Sequence, residues 1–403
     1  MADPAEISEL RRTEYDLRRR VGLLRIGEYT DVSVGENGQG VEDFLELEAQ
    51  LATVIAARLK AEAAPGTSVA PTLAIESTGL SATVELRMAY VPTATVHLFD
   101  PAKHPLVTVT VRRAPRENSI RRIRITVIVD GYSAAAVESL ELGDGKPRPV
   151  DLLPTFFPDA FRKVTELTRA TLSTLVEDLD TQRVEIHRTS PVWLLARNTA
   201  ALSVADPAKG VRVDLTPYLG AFVTPNSPAV IGFLRKVAAR HPDQRLVGYQ
   251  GSPDAVEPQV RALYEALAAD AGVTYVNSVI AFDPEEGSAS QRVRLPRESL
   301  AEGSANCLDG TLLYASLLEA MSLRPALVLI PGHAIIAWET WTDSGEWKHL
   351  ETTKTSSQPF NVACQLGESV ANRYAGDGQG RPNQYRRLPL RELRVEQRIT
   401  PME

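Results

Sequence analysis

The chain has two cysteines, Cys307 and Cys364, and the first stands where a thiol can act as a nucleophile. It lies in GSANCLDG (303–310), a glycine-containing loop that leads into a predicted helix over 306–322. Leu312, Leu313, Ser316, Leu317 and Ala320 give that helix its buried stripe. A cysteine in a first helical turn meets N–H groups that lack intrahelical partners and the positive end of the helix dipole. Both favour the thiolate. A nucleophile of this kind needs a base, and the base needs an orienter. Residues 326–339 read as a buried strand, a Pro331-Gly332 turn and a second strand opened by His333. Residues 346–353 read as a third strand ending at Glu351. If these strands are neighbours, Glu351 can fix the tautomer of His333 and stabilise its imidazolium.

The same spacing weighs the rivals. Glu339 shares a face with His333, but six residues of strand place it about 20 Å away, too far to orient the ring. Asp309 is two positions after Cys307 on the helix and points away from the thiol. His349 shares a strand face with Glu351 and stands as an alternative base. His333 is preferred because it follows a turn, where a strand end can meet the helix. Cys307 also has a purely structural reading as a small buried apolar residue. Cys364 falls in a predicted helix with Phe360, Val362, Leu366 and Val370 and reads as structural.

Several chemistries are excluded. There is no GxxxxGK[ST], HExxH, CxxC or GxSxG, and Pro147 follows Lys146 where a phosphate loop needs Ser or Thr. The six histidines (97, 104, 187, 241, 333, 349) do not pair at zinc-ligand spacing, so no metal or other cofactor is expected. Two cysteines cannot make a disulfide framework. A net charge of −7, from 44 basic and 51 acidic residues, argues against nucleic acid as a partner. No stretch approaches the roughly 20 apolar residues of a membrane span, and the first residues lack the apolar core of a signal peptide. A cytoplasmic location is the expectation. With 43% hydrophobic and 24% charged residues the composition is that of a globular chain.

The elements that must position these residues occupy the second half of the chain. Its 403 residues suggest two or three domains. Residues 1–65 read as a helical segment, with amphipathic helices over 6–26 and 41–63. Residues 66–205 change to period two: 83–88, 95–98, 106–111 and 123–129 alternate, and 167–177 and 183–196 add candidate strands. An antiparallel, Ig-like β-sandwich follows, as one or two β subdomains. Residues 206–225 read as a connecting segment. Helices are then predicted over 226–241 and 254–271, and a short β-branched run over 274–280.

At the chemistry-bearing residues the sequence resembles the transglutaminase-like cysteine peptidase superfamily, within the broader papain-like fold. The resemblance rests on Gly303 to Cys307, the helix through Ala320, Gly332-His333-Ala334 with Trp338, and Trp347 through Glu351-Thr352-Thr353. It spans about residues 290–355, and Glu351 and Thr352 stand where the family has aspartate and proline. The resemblance implies a bacterial, multi-domain protein with a C-terminal α+β transglutaminase/papain-like domain over 206–403. It implies Cys307 as nucleophile, His333 as general base then acid, and Glu351 as orienter. Gln291 and Asn306 are the side-chain candidates for an oxyanion hole beside the Cys307 N–H, and Asn306 has a helix N-cap as its alternative. The expected activity is amide-bond hydrolysis through a thioester, on a protein or peptide substrate. The alternatives are a protein-crosslinking transglutaminase and an inactive binding or scaffold module. A partner protein docking on the N-terminal helix or the β-sandwich is a further expectation.

Overall fold

The computed structural model describes residues 80–113, 120–143, 145–206, 208–277, 289–375 and 384–402, together with Glu9 and Thr13. The helices expected over 6–26 and 41–63 lie outside the described residues, those two positions apart.

The first part of the described chain is strand: β1 (Leu80–Leu86), β2 (Tyr90–Val91), β3 (Val107–Arg113), β4 (Arg121–Val129), β5 (Ala136–Leu142), β6 (Arg148–Leu152), β7 (Thr168–Asp178) and β8 (Arg183–Leu194). They form two sheets, β1-β3-β6 and β2-β8-β7-β4-β5. All pairs in them are antiparallel except the short β2–β8 pair. Period two explains the arrangement. Ile123, Ile125, Val127 and Val129 of β4 are fully buried, while Arg122 and Arg124, which alternate with them, turn outward. Their inward faces meet Val107, Val109 and Val111 of β3 in one core.

The strand expected at 95–98 is instead a 3₁₀ turn, Val96–Leu98. The amides of Thr95 and Val96 both donate to the carbonyl of Pro92, and Leu98 donates to Thr95. Four alternating residues fit a strand or a turn, and the local hydrogen bonds decide for the turn.

β9 (Thr199–Asp206) and β10 (Val211–Asp214) lead into the second part, so the stretch 206–225 is more than a connector. It contains β10 and a 3₁₀ segment, Thr216–Phe222, and it buries Leu219, Ala221, Phe222 and Val223. There follow α1 (Pro228–Arg240), α2 (Val256–Ala269), β11 (Thr274–Tyr275), β12 (Ala289–Arg292), α3 (Pro296–Glu302), β13 (Ser304–Ala305), α4 (Cys307–Ala320), β14 (Pro325–Ile330), β15 (His333–Glu339), β16 (Trp347–Leu350), α5 (Phe360–Tyr374), β17 (Arg386–Pro389) and α6 (Leu390–Val395). The fold is therefore mixed α and β with several antiparallel sheets.

A second core is built around α4, whose residues from Leu308 to Leu318 are all buried. It packs against the antiparallel sheet β16-β15-β14-β17. The two cores meet at β9. Ala200 belongs to the second core, and Ala201 and Val204 to the first. β9 pairs with β10 on one side and with β12 on the other. The boundary expected between 205 and 206 thus falls at the end of a strand that is paired on both sides with later residues.

Candidate active site

The thiol is placed by a tight sequence of local structures. α3 ends at Gly303, which adopts φ 62°. A side chain there would be strained, and its Cβ would sit 3.0 Å from the carbonyl of Ala271. This turn sends the chain into β13, parallel to β11, and then directly into α4. Asn306 is the N-cap: its side-chain oxygen accepts from the Asp309 amide at 2.8 Å. Asp309 reciprocates, accepting from the Asn306 amide at 3.1 Å, a capping box. Asp309 is fully buried and anchored by Arg294, whose guanidinium and backbone amide lie 3.0 and 2.8 Å from its two carboxylate oxygens. Burial pushes the Asp309 carboxyl upward, and the hydrogen bonds from Arg294 and Asn306 oppose this only in part. Asp309 thus serves the helix start and not the thiol. Cys307 is the first residue of α4, partly exposed and not in a disulfide.

The imidazole comes from the opposite direction. β14 and β15 form a hairpin around Pro331-Gly332, and His333 pairs with Ile330 at its mouth. β15 in turn pairs with β16, and Glu351 follows β16 directly. His333 Nε2 lies 2.7 Å from Glu351 Oε2. Cys307 lies close enough to the imidazole to help raise it. A carboxylate only accepts, so Nε2–H donates to Glu351 and Nδ1 is left for the thiol.

The pair is buried. The His333 side chain is 7% exposed, that of Glu351 1%. The other carboxylate oxygen, Oε1, accepts from the Thr353 hydroxyl at 2.7 Å and its amide at 3.2 Å. Burial would lift the Glu351 carboxyl, but the charge and hydrogen bond of His333, joined by Thr353, hold it below its ordinary range. Burial would likewise lower His333. The charge of Glu351, its hydrogen bond and the nearby Cys307 outweigh it and hold the imidazole well above its ordinary value. The arrangement favours a protonated imidazole beside an ionised Glu351, the electrostatic setting a cysteine nucleophile needs.

The rivals are engaged elsewhere. His349 Nδ1 lies 3.0 Å from Glu368 Oε2 and its Nε2 2.8 Å from the Tyr385 hydroxyl. Glu339 pairs with Arg324 at 3.1 Å and accepts from the Gly345 amide. Gln291 sits on β12 opposite Ala200 of β9, and among the described residues it makes no hydrogen bond to Cys307, His333 or Glu351. Cys364 packs against the second core, and burial pushes its thiol up to about 12. Among the described residues no cluster of His, Cys, Asp and Glu could hold a metal ion. No helix among them is long and apolar enough to cross a membrane.

Two neighbours of the site were not legible as such. Tyr275 on β11 runs beside Ala305, and its phenol is pushed up to about 12 by partial burial and by the nearby Cys307, Glu351 and Asp309. The β-branched run at 274–280 signalled a strand, but nothing local showed that it lies alongside the thiol loop. Lys354 is lowered by burial, against the pull of Glu351, which places its ammonium near the same carboxylate.

No protein-family model and no curated protein matches this chain.

Proposed function

We propose that the chain is a cysteine-dependent acyl-transfer enzyme that cleaves amide bonds in a protein or peptide through a thioester. The observation that carries this reading is that His333 is bonded at 2.7 Å to the buried Glu351 carboxylate while Cys307, at a helix start, stands near enough to the imidazole to influence it. His333 holds the thiol proton while Cys307 Sγ attacks the carbonyl carbon. The developing oxyanion faces the Cys307 N–H and the positive end of α4, with the Tyr275 hydroxyl as a neighbouring donor. Collapse breaks the C–N bond, and His333 passes its proton to the leaving amine. Water then attacks the thioester carbonyl as His333 takes its proton, the C–S bond breaks to release the acid, and the proton on His333 restores the Cys307–His333 pair. Glu351 stays ionised throughout and holds the ring in its working tautomer.

The likeness of residues 290–355 to transglutaminase-like cysteine peptidases supports the same chemistry. With it we propose a papain-like assignment for the second core and an Ig-like one for the first. A reduced working thiol suits the cytoplasm, which completes the proposal. An amine in place of water would give transamidation from the same thioester.

Activated acyl donors and peptides incubated with the protein test this. Intact-mass and peptide mass spectrometry should find an acyl adduct on Cys307, and Cys307→Ala should lose turnover by at least about a thousandfold. Turnover that persists in Cys307→Ala sinks the proposal.

A further inference from the structure

β16 is an edge strand: among the described residues it pairs with β15 and with no other strand. Along such an edge alternate amides point away from the sheet and must be satisfied by something else. The two that matter are those of His349 and Glu351, and both are taken by α5. The His349 amide donates to Glu368 Oε1 at 2.8 Å, and the Glu351 amide donates to the carbonyl of Ala363 at 3.0 Å. Between them Gly367 lies against the Leu350 backbone, so close that a Cβ would stand 2.7 Å from the Leu350 nitrogen. The Glu368 carboxylate makes a second bond, 3.0 Å to His349 Nδ1, while the far ring nitrogen meets Tyr385, the residue before β17. Glu368 therefore closes two bonds onto one residue of the edge strand, two positions before the carboxylate that orients His333.

We infer that Glu368 is a positioning residue for the active site: through His349 it holds the end of β16 against α5, and so fixes where Glu351 meets His333. This rests on the function proposed above. Glu368 touches neither the thiol nor the imidazole of His333, and its effect travels through the strand. Burial would raise the Glu368 carboxyl, but the bonds and charge of His349 keep it low, which fits a carboxylate that stays ionised as an acceptor.

The test uses the full chain with Cys364→Ser as background, so that a single thiol reports. The rate of iodoacetamide alkylation of Cys307 near neutral pH is measured for the background, Glu368→Leu, Glu368→Gln and His333→Ala, with folding checked by circular dichroism. Leu matches Glu in size but accepts no hydrogen bond. Gln keeps one acceptor oxygen. Glu368→Leu should slow alkylation about tenfold, the scale of a small misplacement at a reacting centre, and Glu368→Gln should recover most of the rate. A merely structural role would lower the melting temperature of both variants and leave the rate of the folded protein unchanged. If His333→Ala slows the reaction and Glu368→Leu does not, the inference is overturned while the proposed function stands. If His333→Ala leaves the rate unchanged, the proposed function falls and the inference falls with it. Should Glu368→Leu fail to fold, Glu368→Ser, whose hydroxyl is too short to reach His349, takes its place against Glu368→Gln with the same outcomes.

Discussion

Glu351 is buried, and its carboxylate is bonded to His333 at 2.7 Å. That fixes how the pair contributes to stability across pH. The Glu351 carboxyl is depressed from its ordinary 4.5, so its contribution is present above that value and is lost as pH falls through the depressed one. The His333 imidazole is raised from 6.5 to about 10, so its contribution is complete below 6.5 and is lost as pH rises through about 10. Both describe one interaction. Glu351→Gln keeps the shape and removes the charge. The melting-temperature gap between wild type and Glu351→Gln should be widest between 4.5 and 6.5, closing in acid and again toward about 10. A gap independent of pH would mean that the two groups are not an ion pair. Cys307 and His333 were legible because their chemistry is rare in this chain, which has two thiols and six histidines. Tyr275 was not legible, because its place beside Ala305 comes from a parallel pairing 30 residues apart in sequence, 305 against 275.

At the scale of elements, the site is the meeting of one helix start and one hairpin. α4 was legible from its apolar stripe, and β14 and β15 from an apolar run broken at Pro331-Gly332. Local signals sufficed there because helix caps and tight turns are made within a few residues. They did not suffice at Val96–Leu98, where a short alternation is compatible with two structures. Nor did they show what α5 does. Read alone it is an amphipathic helix, and its grip on β16 through Ala363, Gly367 and Glu368 exists only in the folded chain. That contact makes a prediction. Gly367→Ala would place a methyl within 2.9 Å of three backbone atoms of His349 and Leu350, none of which can move as a side-chain tip does. We expect a loss of about 1–3 kcal/mol in chemical denaturation, the usual range for overpacking. A variant as stable as wild type would show that α5 does not seat on β16 in this way.

At the scale of the whole molecule, composition and period were enough to separate a β-rich first part from a mixed second part. They could not reveal that the two are interlocked. β12 is paired with β9, which lies more than eighty residues earlier, and Arg197 reaches both the Thr93 carbonyl and the Met402 carbonyl. Long-range pairings of this kind leave no period in the sequence. A fragment of residues 206–403 would lose nearly all of β9 and uncover Ala200's side of the second core. We expect that fragment to show no cooperative thermal transition by circular dichroism, whereas the full chain does. A fragment that melts cooperatively would make the second core independent of the first.

If His333 activates Cys307 as a nucleophile, the reactivity of the thiol itself reports it. Iodoacetamide alkylation of the full chain near neutral pH, resolved by peptide mass spectrometry, compares Cys307 with Cys364 and with a free thiol. We predict that Cys307 reacts faster than a free thiol, that Cys364 reacts more slowly, as its buried and raised thiol requires, and that His333→Ala abolishes the advantage of Cys307. A Cys307 that alkylates no faster than a free thiol, at a rate indifferent to His333→Ala, would contradict the account.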